Sequence, residues 1–486
     1  MSEVYYNYVD GDWVESETGD TFEVVNPADT TDVIGGFQRS SSDDATAAVE
    51  AAADAADEWA DVPGTERGSI LTEAARHMAD RTDELTETLT REEGKTLTEA
   101  GAEVQRAVDI FEYYGQKAVD FGGEVKQPGS RDANLYTVEE PMGVAGLVTP
   151  WNYPVAIPAW KSAPALATGN TVVLKPANGA PNVFRKVVEC LDEAGIPDGV
   201  VNYLTGPGSD VGGTIVDHDD VDVVSFTGSR SVGEMIHEQA GANQKRVQTE
   251  MGSKNTTVVM PSADLEEAAE IVGAGAFGVT GQACTGTERV AVHQDVHDEF
   301  LEELIAYADG LEIGPGLEDP DMGPHFDRDH LEGTLEYVER GRDADGTLAY
   351  GGEALEGGEY DDGHFVEPTI FTDVDSDAAI MQEEIFGPFV GVMSATDFEE
   401  AVELVNDVEF GLSTSIVTRD HAEANRFRDA VDFGIVKINE KTTGLQYYVP
   451  FGGMNASSSE TFREQGDAAI DFYTITKTVY ENYGRR

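Results

Sequence analysis

The segment around Cys284 has the composition of a nucleophile loop. Gly281-Gln-Ala-Cys284-Thr-Gly-Thr places a cysteine among small residues, after a Gly- and Ala-rich run with helical spacing and before a strand. A thiol in that setting can be accessible, and its thiolate form is a nucleophile. A small buried core residue is the other common fate of a free cysteine, so the segment alone leaves both interpretations open. The second cysteine, Cys190, lies on the apolar face of a predicted helix and is expected to belong to the core.

Two further polar residues follow predicted strands. Glu250 ends a strand and precedes a Gly turn, where a substrate or a water molecule can approach its carboxylate, although most glutamates of so acidic a chain are solvated surface groups. Asn152 follows the strand Val144–Val148 and lies between Pro150 and Pro154, which fix the backbone on either side of the amide. A rigid amide donor of this kind can stabilise an oxyanion.

Two βα turns have features of phosphate and ribose binding. Phe226-Thr-Gly228-Ser229-Arg-Ser-Val-Gly233 follows a predicted strand and begins a helix, so the turn and the helix N-terminus can meet a pyrophosphate. Its glycines are spaced GxxxxG instead of GxGxxG, and an ordinary turn is the alternative. Lys175 lies at the carboxyl end of a buried strand, where ligands of open α/β sheets bind, unless it is an ordinary surface lysine.

Taken together and in chain order, these segments resemble the NAD(P)-dependent aldehyde dehydrogenase superfamily. Asn152, Glu250 and Cys284 recur in the family's order, and the separation between base and nucleophile is typical of it. The resemblance covers essentially the whole chain. Further family-like segments are Glu383-Glu-Ile-Phe386-Gly-Pro388 and Pro450-Phe-Gly-Gly453.

The resemblance implies a mechanism and a set of site residues. Cys284 would attack the aldehyde carbonyl, and the Asn152 amide together with the Cys284 backbone N–H would hold the oxyanion. After hydride transfer to the nicotinamide of NAD or NADP, Glu250 would activate the water that releases the acid from the thioester. The implied cofactor-binding residues are Trp151, Lys175, Asn178, Gly228, Ser229, Gly233, Glu384 and Phe386; the implied substrate-binding residues are Tyr153, Trp160 and Phe451, and no metal is expected.

The sequence departs from the family pattern at the residue expected to select the cofactor. Three residues beyond Lys175, NAD-preferring members usually carry a glutamate that binds the adenosine ribose, and this chain has Asn178. Because no carboxylate repels a 2′-phosphate there, we expect NADP to be accepted and favoured. Ser253 replaces the family's usual second glycine after the base, a change that we expect to be tolerated.

The substrate expected from the resemblance is a semialdehyde. The run from Asn152 to Lys161, together with Asn178, resembles the 2,5-dioxopentanoate (α-ketoglutarate semialdehyde) dehydrogenases. Succinate-semialdehyde dehydrogenases often have an arginine where Trp160 stands, so such an enzyme, or one of broad specificity, is the alternative. A catalytically silent acidic relative that serves as a binding or structural protein would be expected to lose one of the three catalytic residues, and all three are present.

The predicted elements form an α/β protein with two doubly wound parallel sheets. After an N-terminal hairpin and an Ala-rich helical block, strands and helices alternate from Gly143 to Val247 and again from Thr256 to Ser457. The Gly-rich acidic segment 345–365 is expected to be an exposed loop. The strictly alternating stretch Phe472–Tyr480 is expected to form a terminal strand that pairs with residues 122–142 or with a neighbouring subunit.

The resemblance divides these elements into domains. Residues 1–121 and 143–252 would form the cofactor-binding domain, and residues 253–460 the catalytic domain. Residues 122–142 and 470–486 would form a small β ribbon for oligomerisation. Such a ribbon implies a homodimer or a homotetramer.

Charge and composition exclude several classes of function. The 486 residues include 94 Asp and Glu against 31 Lys and Arg, a formal net charge of −63. Nucleic-acid and anionic-membrane binding both need basic surfaces and are disfavoured, and a hydrophobic content of 40% argues against disorder. An acid excess along the whole chain indicates a halophilic cytoplasm, with recruitment of a basic partner as the alternative. Two cysteines, no signal-peptide pattern and no apolar run of membrane length favour the cytoplasm.

Overall fold

The computed structural model describes residues 3–344 and 346–484 of the chain. Its first part is a small β region followed by a layer of long helices. The elements are β1 (Val4–Tyr5), β2 (Asn7–Val9), β3 (Asp12–Val14), β4 (Thr21–Asn26), β5 (Asp29–Gln38), α1 (Ser42–Asp61), α2 (Gly64–Asp80), α3 (Thr82–Glu93) and α4 (Leu97–Lys117).

The helices α1 and α4 begin at capping boxes. The Ser41 side chain accepts the Asp44 N–H while the Asp44 carboxylate accepts the Ser41 N–H, and Thr96 and Glu99 do the same before α4. Two otherwise unpaired backbone donors are satisfied at each start, which explains where these Ala-rich segments become helical.

A ribbon and an alternating α/β region follow the helical layer. Their elements are β6 (Val125–Lys126), β7 (Ala133–Pro141), β8 (Val144–Val148), α5 (Ala156–Thr168), β9 (Thr171–Lys175), α6 (Asn182–Glu193), β10 (Val201–Tyr203), α7 (Gly213–Asp217), β11 (Val223–Thr227), α8 (Arg230–Ala242) and β12 (Arg246–Glu250). The helix α5 is buried over its whole length, so its residues contact other elements on every side.

A second alternating region completes the chain. Its elements are β13 (Asn255–Val259), α9 (Leu265–Ala276), β14 (Thr287–His293), α10 (His297–Asp309), α11 (Arg328–Asp343), β15 (Thr347–Tyr350), β16 (Thr369–Thr372), α12 (Ala379–Gln382), β17 (Phe389–Ala395), α13 (Phe398–Asn406), β18 (Phe410–Gly411), β19 (Ser413–Val417), α14 (His421–Ala430), β20 (Ile435–Ile438), β21 (Met454–Asn455), α15 (Gly466–Tyr473) and β22 (Thr474–Asn482).

Two seven-stranded sheets organise these elements. The first has the order β12-β11-β8-β9-β10-β2-β3 and is parallel from β12 to β10; the second has the order β15-β16-β17-β14-β13-β19-β20 and is parallel from β16 to β20. In the first sheet the chain runs outward from β8 through β9 to β10 and then returns to place β11 on the other side of β8. The crevice at the carboxyl ends of β8 and β11 is therefore a topological switch point, where open α/β sheets bind ligands. The predicted α/β class with two parallel sheets is confirmed.

The ribbon is a small antiparallel sheet of order β22-β7-β6. Its long pairing runs from Thr474 opposite Pro141 to Asn482 opposite Ala133. The sequence left two partners open for the terminal strand, residues 122–142 or a neighbouring subunit. In the structure this strand pairs with β7, which lies in the 122–142 segment. The division into cofactor-binding, catalytic and oligomerisation domains stays a prediction.

Two boundaries differ from the sequence prediction. Segment 345–365 was expected to be an exposed loop, but residues 347–350 of it form β15, an antiparallel edge strand of the second sheet; residue 345 lies outside the described residues. The terminal strand begins at Thr474 and not at Phe472, because Phe472 and Tyr473 are the buried end of α15. Within the described ranges, no helix is both long and apolar enough to cross a membrane.

Candidate active site

The residues expected to carry chemistry converge at the carboxyl ends of the two sheets. A cavity of about 220 Å³ lies there, between the turns that follow β8 and β11 and the loop that precedes β14. Its lining includes the predicted residues Trp151, Asn152, Gly228, Ser229, Cys284, Glu384 and Phe386.

A short, strained loop between α9 and β14 carries Cys284. Val279 and Thr280 have φ values of 53° and 56°, in the left-handed region that β-branched residues rarely adopt. Gly281 has a φ of 67°, and a Cβ at this position would lie 2.0 Å from the carbonyl oxygen of Gly387. Only glycine fits there. The loop presents the thiol, which is partly exposed, at the wall of the cavity.

The Cys284 thiol is uncharged in this environment. Burial, followed by the carboxylates of Glu384, Glu250 and Glu464, raises its pKa above the usual value, while a hydrogen bond from the Thr285 backbone N–H acts in the opposite direction. A neutral thiol is a poor nucleophile and a poor target for oxidants. Attack on a carbonyl therefore requires a base that takes the thiol proton.

The Asn152 amide is held in a fixed orientation beside the nucleophile loop. Its Nδ2 donates to the carbonyl oxygen of Gln282 at 2.9 Å. An amide NH₂ has two hydrogens, so the second N–H remains for a substrate oxygen. The Asn152 carbonyl oxygen accepts a hydrogen bond from the buried Lys95 ammonium at 2.7 Å, and Lys95 is paired with Glu103 at 2.7 Å. This ion pair, which the sequence analysis missed, fixes the backbone that carries the amide.

Glu250 is a buried carboxylate with one free oxygen. Its Oε2 accepts the Gly453 N–H at 3.0 Å, whereas its Oε1 has no hydrogen-bond partner among residues 3–344 and 346–484. Burial and the charge of Glu464 raise the pKa of Glu250 well above the usual value. Glu464 is itself paired with the buried Lys161, whose ammonium also donates to the Ser225 hydroxyl at 2.7 Å. The cluster can therefore accept, hold and release a proton.

The start of α8 has groups that could bind an anion, whereas the two glycines expected to bind the cofactor make other contacts. Ser229 is the N-cap of α8, and its side chain makes no capping hydrogen bond, so the hydroxyl and the first-turn N–H groups are available to a phosphate. The Gly228 N–H, expected to meet the pyrophosphate, is instead donated to the Glu250 carbonyl at 3.1 Å. Gly233 is a packing residue, since a Cβ there would lie 2.6 Å from the Met251 side chain.

Lys175 is a buried cation at the end of β9. Its ammonium donates to the Pro176 carbonyl at 2.8 Å, and burial lowers its pKa to about 8. No carboxylate in the described part of the chain forms an ion pair with it. Asn178, at the position expected to select the cofactor, accepts the Gly206 N–H at 3.3 Å. An unpaired cation in this position fits the ribose and phosphate oxygens of a dinucleotide.

A second, larger cavity of about 1050 Å³ lies between α7 and α8. Its apolar wall includes Val232, Met235 and Ile236 of α8, and Val232 and Met235 are more than a third exposed. A polar rim is provided by Ser209, which precedes α7, and by Asp219 and Asp220 of the turn after α7. A cleft with one apolar wall next to an anion site has the chemistry that an adenine ring and its phosphates require.

Glu384 and Phe386 lie on a loop opposite the first sheet. The Glu384 carboxylate accepts the Ser253 N–H at 2.8 Å, and burial raises the pKa of Glu384 to about 8. The Phe386 ring meets the Trp151 ring edge-on at 5.6 Å. The Ser253 hydroxyl donates to the Cys284 carbonyl, so the residue that departs from the family pattern connects the nucleophile loop to Glu384.

The residues expected to bind substrate form an aromatic cluster beside Cys284. Trp160 and Phe451 are buried, with ring centres 5.6 Å apart. The Tyr153 ring lies 4.4 Å from the Lys95 ammonium, and burial raises the pKa of its hydroxyl. The structure also brings Arg106 of α4 to this cluster, 5.9 Å from the Trp160 ring, which the sequence analysis missed. Within the described residues no group of three or more His, Cys, Asp or Glu side chains could hold a metal ion.

A crevice suited to a nucleotide, with a cysteine at its wall, is typical of an oxidoreductase that works through a thiol. Comparisons with known proteins agree. The model of the aldehyde dehydrogenase family matches residues 13–479, and this chain belongs to that family. It is an NAD(P)-dependent aldehyde dehydrogenase.

Individual relatives cover the whole chain. The α-ketoglutarate semialdehyde dehydrogenase of Haloferax volcanii is 57% identical over 483 residues, which are 99% of this chain and 100% of that protein. The 2,5-dioxopentanoate dehydrogenase of Saccharolobus solfataricus is 42% identical over 97% of this chain and 98% of its own length. The crystal structure of betaine aldehyde dehydrogenase from Staphylococcus aureus with NAD+ matches with a TM-score of 0.96 at 32% identity, over 99% of this chain and 95% of that one.

Proposed function

We propose that this enzyme oxidises 2,5-dioxopentanoate to α-ketoglutarate, with NADP favoured over NAD. The proposed substrate rests on the 57% identity to the Haloferax volcanii enzyme along the full length of both chains. The retained Cys284, Asn152 and Glu250, together with their geometry, support the reaction.

In this proposal Cys284 forms and then breaks one covalent bond to the substrate. The Sγ proton passes to a base, Sγ bonds to the aldehyde carbon, and the resulting oxyanion accepts the free Asn152 N–H and the Cys284 N–H. A bound oxidised nicotinamide supplies the acceptor for the hydride that leaves this carbon. The thioester that remains on Cys284 is cleaved by water, and the acid leaves as the thiol is restored.

Glu250 is the group proposed to activate this water. Its unpartnered Oε1 can accept a water proton, and the raised pKa of Glu250 brings the carboxyl closer to the pH at which it must exchange that proton. The buried pair of Glu464 and Lys161 could pass the proton on to other polar groups. Each turnover consumes one aldehyde, one water and one oxidised cofactor and releases the acid, the reduced cofactor and one proton.

The cofactor preference rests on Lys175 and Asn178. Lys175 is a buried cation without a carboxylate partner in the described residues, and Asn178 brings no negative charge to the adenosine ribose. Replacement Asn178→Glu should lower kcat/KM for NADP by roughly tenfold or more through charge repulsion, and should leave kcat/KM for NAD nearly unchanged.

The matched control is Asn178→Gln, which has the same length as the glutamate but no charge and should retain NADP use. Initial rates with both cofactors measure the effect. A wild-type kcat/KM for NAD more than tenfold above that for NADP would contradict the proposed preference.

The substrate is tested with a panel of aldehydes in molar KCl. The panel contains 2,5-dioxopentanoate, succinate semialdehyde, pentanal and betaine aldehyde, each assayed with both cofactors. We expect the highest kcat/KM for 2,5-dioxopentanoate; a higher value for any other member would assign the enzyme to that substrate instead. We further propose that the enzyme is a homodimer or homotetramer joined through the ribbon and works in a cytoplasm of concentrated salt, supported by the apolar ribbon surface and the net charge of −63.

A further inference from the structure

Arg106 is a partly buried cation, and two of its three guanidinium nitrogens are buried without a partner among the described residues. It lies on α4, and its Nε and Nη2 atoms are closed to solvent and form no hydrogen bond with any described residue. Burial lowers the pKa of its guanidinium. By contrast, Arg67 is also buried, but its guanidinium donates to backbone carbonyls, including those of Ala167 and Val62. Buried charges in proteins are normally paired, so the unpaired state of Arg106 points to a partner that binds from outside.

The surroundings of Arg106 connect it to the nucleophile. Its Cζ lies 5.9 Å from the centre of the Trp160 ring, and Trp160 packs against Phe451. The hydroxyl of Tyr153 is near enough to both Arg106 and Cys284 to interact electrostatically with each of them. Arg106 thus belongs to the aromatic cluster that we expect to bind the substrate.

The acidic residues closest to Arg106 are engaged elsewhere. Glu103 pairs with Lys95 through one oxygen and accepts the backbone N–H groups of Val155 and Ala156 through the other. Asp109 accepts a hydrogen bond from Gln105 at 2.8 Å. No carboxylate of the described residues lies within ion-pair distance of Arg106, although the chain carries 94 acidic residues.

A second cation lies in the same region. Burial, and then the charges of Lys441 and Arg106, lower the pKa of Lys437, while Glu440 acts in the opposite direction. Its ammonium donates to the carbonyls of Thr443 and Gly444, both at 2.6 Å. Lys437 also forms an ion pair with Glu440 at 3.9 Å, so of these two cations Arg106 is the one without a carboxylate partner among the described residues.

We propose that Arg106 is a specificity-determining residue that binds the carboxylate at the far end of the semialdehyde while the aldehyde end reaches Cys284. The inference rests on the proposed function and deepens it. A guanidinium can donate two parallel hydrogen bonds to a carboxylate, which an ammonium cannot match in geometry. Trp160 stands where succinate-semialdehyde dehydrogenases often have an arginine. Because Arg106 of α4 brings a cation close to the Trp160 ring, the absence of that arginine does not exclude a carboxylated substrate.

The test compares aldehydes of equal length with and without the carboxylate. Full-length wild type and Arg106→Met are assayed in molar KCl with 5-oxopentanoate, 2,5-dioxopentanoate and pentanal. Because hydrogen bonds to charged groups are the strong ones, we expect KM for the two carboxylated aldehydes to rise roughly 10- to 100-fold. KM for pentanal should change by less than about threefold, and kcat should be nearly unchanged for all three.

Two further variants make the result interpretable. Arg106→Lys keeps the charge but not the paired hydrogen bonds and should give an intermediate KM for the carboxylated aldehydes. Arg76→Met makes the same chemical change at a residue of α2 whose side chain is 65% exposed, and should alter no kinetic constant. Inhibition by glutarate, which cannot react, should weaken in Arg106→Met in parallel with KM.

The outcomes separate this inference from the proposed function. An equal loss of kcat/KM for pentanal and for the carboxylated aldehydes in Arg106→Met would make Arg106 a structural residue and overturn the inference. The proposed function would then still stand if the wild type prefers 2,5-dioxopentanoate. A wild type that prefers pentanal to both carboxylated aldehydes would overturn the proposed function, and unchanged inhibition by glutarate in Arg106→Met would separately overturn the role of Arg106.

Discussion

At the scale of single residues, burial favours the neutral forms of the reactive groups. Burial and neighbouring carboxylates raise the pKa of the Cys284 thiol, and burial and Glu464 raise that of Glu250. Donors that are already fixed, such as the Asn152 amide held against Gln282, need no rearrangement when an oxyanion forms. The Asn152 amide is therefore in place before a substrate binds.

Separate roles for nucleophile and base predict different kinetic behaviour in two variants. Cys284→Ala should lose all dehydrogenase activity, because no covalent bond to the aldehyde can form. Glu250→Gln should still form the thioester and then hydrolyse it slowly, so rapid mixing should reveal a burst of about one reduced cofactor per site. Cys190→Ala, a change at the buried cysteine of α6, is the control and should retain turnover. Steady turnover in Cys284→Ala would refute the assignment of the nucleophile.

Glu384 should make the stability of the enzyme depend on pH in the absence of cofactor. Its pKa is about 8 in the folded protein and near 4.3 in an unfolded chain. Between these values the folded state holds a proton that the unfolded state has lost, so this group's contribution to stability declines as pH rises from about 4.3 and is lost above about 8. Glu384→Gln removes the titration and should reduce the loss of stability between about pH 6 and about pH 9 by roughly 3 kcal/mol.

Unfolding midpoints in molar KCl measure this effect for wild type and variant at both pH values. Glu92 and Glu93, whose pKa values burial also raises to about 8, remain in both proteins and cancel in the comparison. Parallel pH dependence of wild type and Glu384→Gln would contradict the assignment.

The residues that the sequence indicated and those that it missed differ in the kind of signal they give. Each catalytic candidate has a recognisable local pattern: Cys284 lies among small residues in the loop before β14, Asn152 lies between two prolines after β8, and Glu250 ends β12 shortly before a glycine. Lys95 and Arg106 are cations in a helical block rich in polar residues, and their burial depends on how α4 packs. Glu103 did leave a signal, because it occupies a position of the buried stripe of α4 otherwise filled by apolar side chains.

At the scale of elements, apolar runs and helical spacing predicted the alternating strands and helices, whereas short edge strands gave no signal. The segment Thr347–Tyr350 has four residues between glycine-rich turns, and only its antiparallel pairing with β16 makes it a strand. The sequence pattern also could not predict which strands lie side by side, because the order of the strands depends on tertiary packing. The strained loop at Val279 and Thr280 is another such feature, because β-branched residues with positive φ contradict local preference.

The ribbon predicts association of subunits through its exposed surface. Its apolar side chains Val125, Ile475 and Tyr480 are 88%, 49% and 82% exposed. Exposed apolar side chains on a long edge strand indicate a surface that another chain covers. We expect the wild type to elute as a dimer or tetramer in molar KCl, and Ile475→Lys/Tyr480→Lys to elute as a smaller species. Light scattering during gel filtration measures the mass. Tyr6→Lys, at an exposed tyrosine outside the ribbon, should leave the mass unchanged.

A monomeric wild type would refute association through the ribbon. An oligomeric mass that the double replacement leaves unchanged would place the interface on another surface.

At the scale of the whole molecule, acidic side chains are exposed at the surface, whereas cations lie around the site. The helix α1 alone exposes Asp54, Asp57 and Glu58 within one and a half turns. The site instead contains the buried Lys175 at the end of β9 and the partly buried Arg106 near the aromatic cluster, where burial limits screening by salt. Under the proposed function, an anionic cofactor and an anionic substrate would therefore meet these cations after crossing a negative surface.

The surface charge predicts that stability depends on ionic strength. A formal charge of −63 repels itself in dilute buffer, where the Debye length is about 10 Å at 0.1 M, and much less in molar salt, where it is about 3 Å. The unfolding midpoint should therefore rise steeply between these conditions. Sucrose, which strengthens burial but screens no charge, should not replace KCl. The triple replacement Asp54→Asn/Asp57→Asn/Glu58→Gln removes three of the exposed charges and should raise the midpoint in dilute buffer more than in molar KCl. Equal midpoints of the wild type at both salt concentrations would show that the acidic surface serves another purpose, such as binding a basic partner.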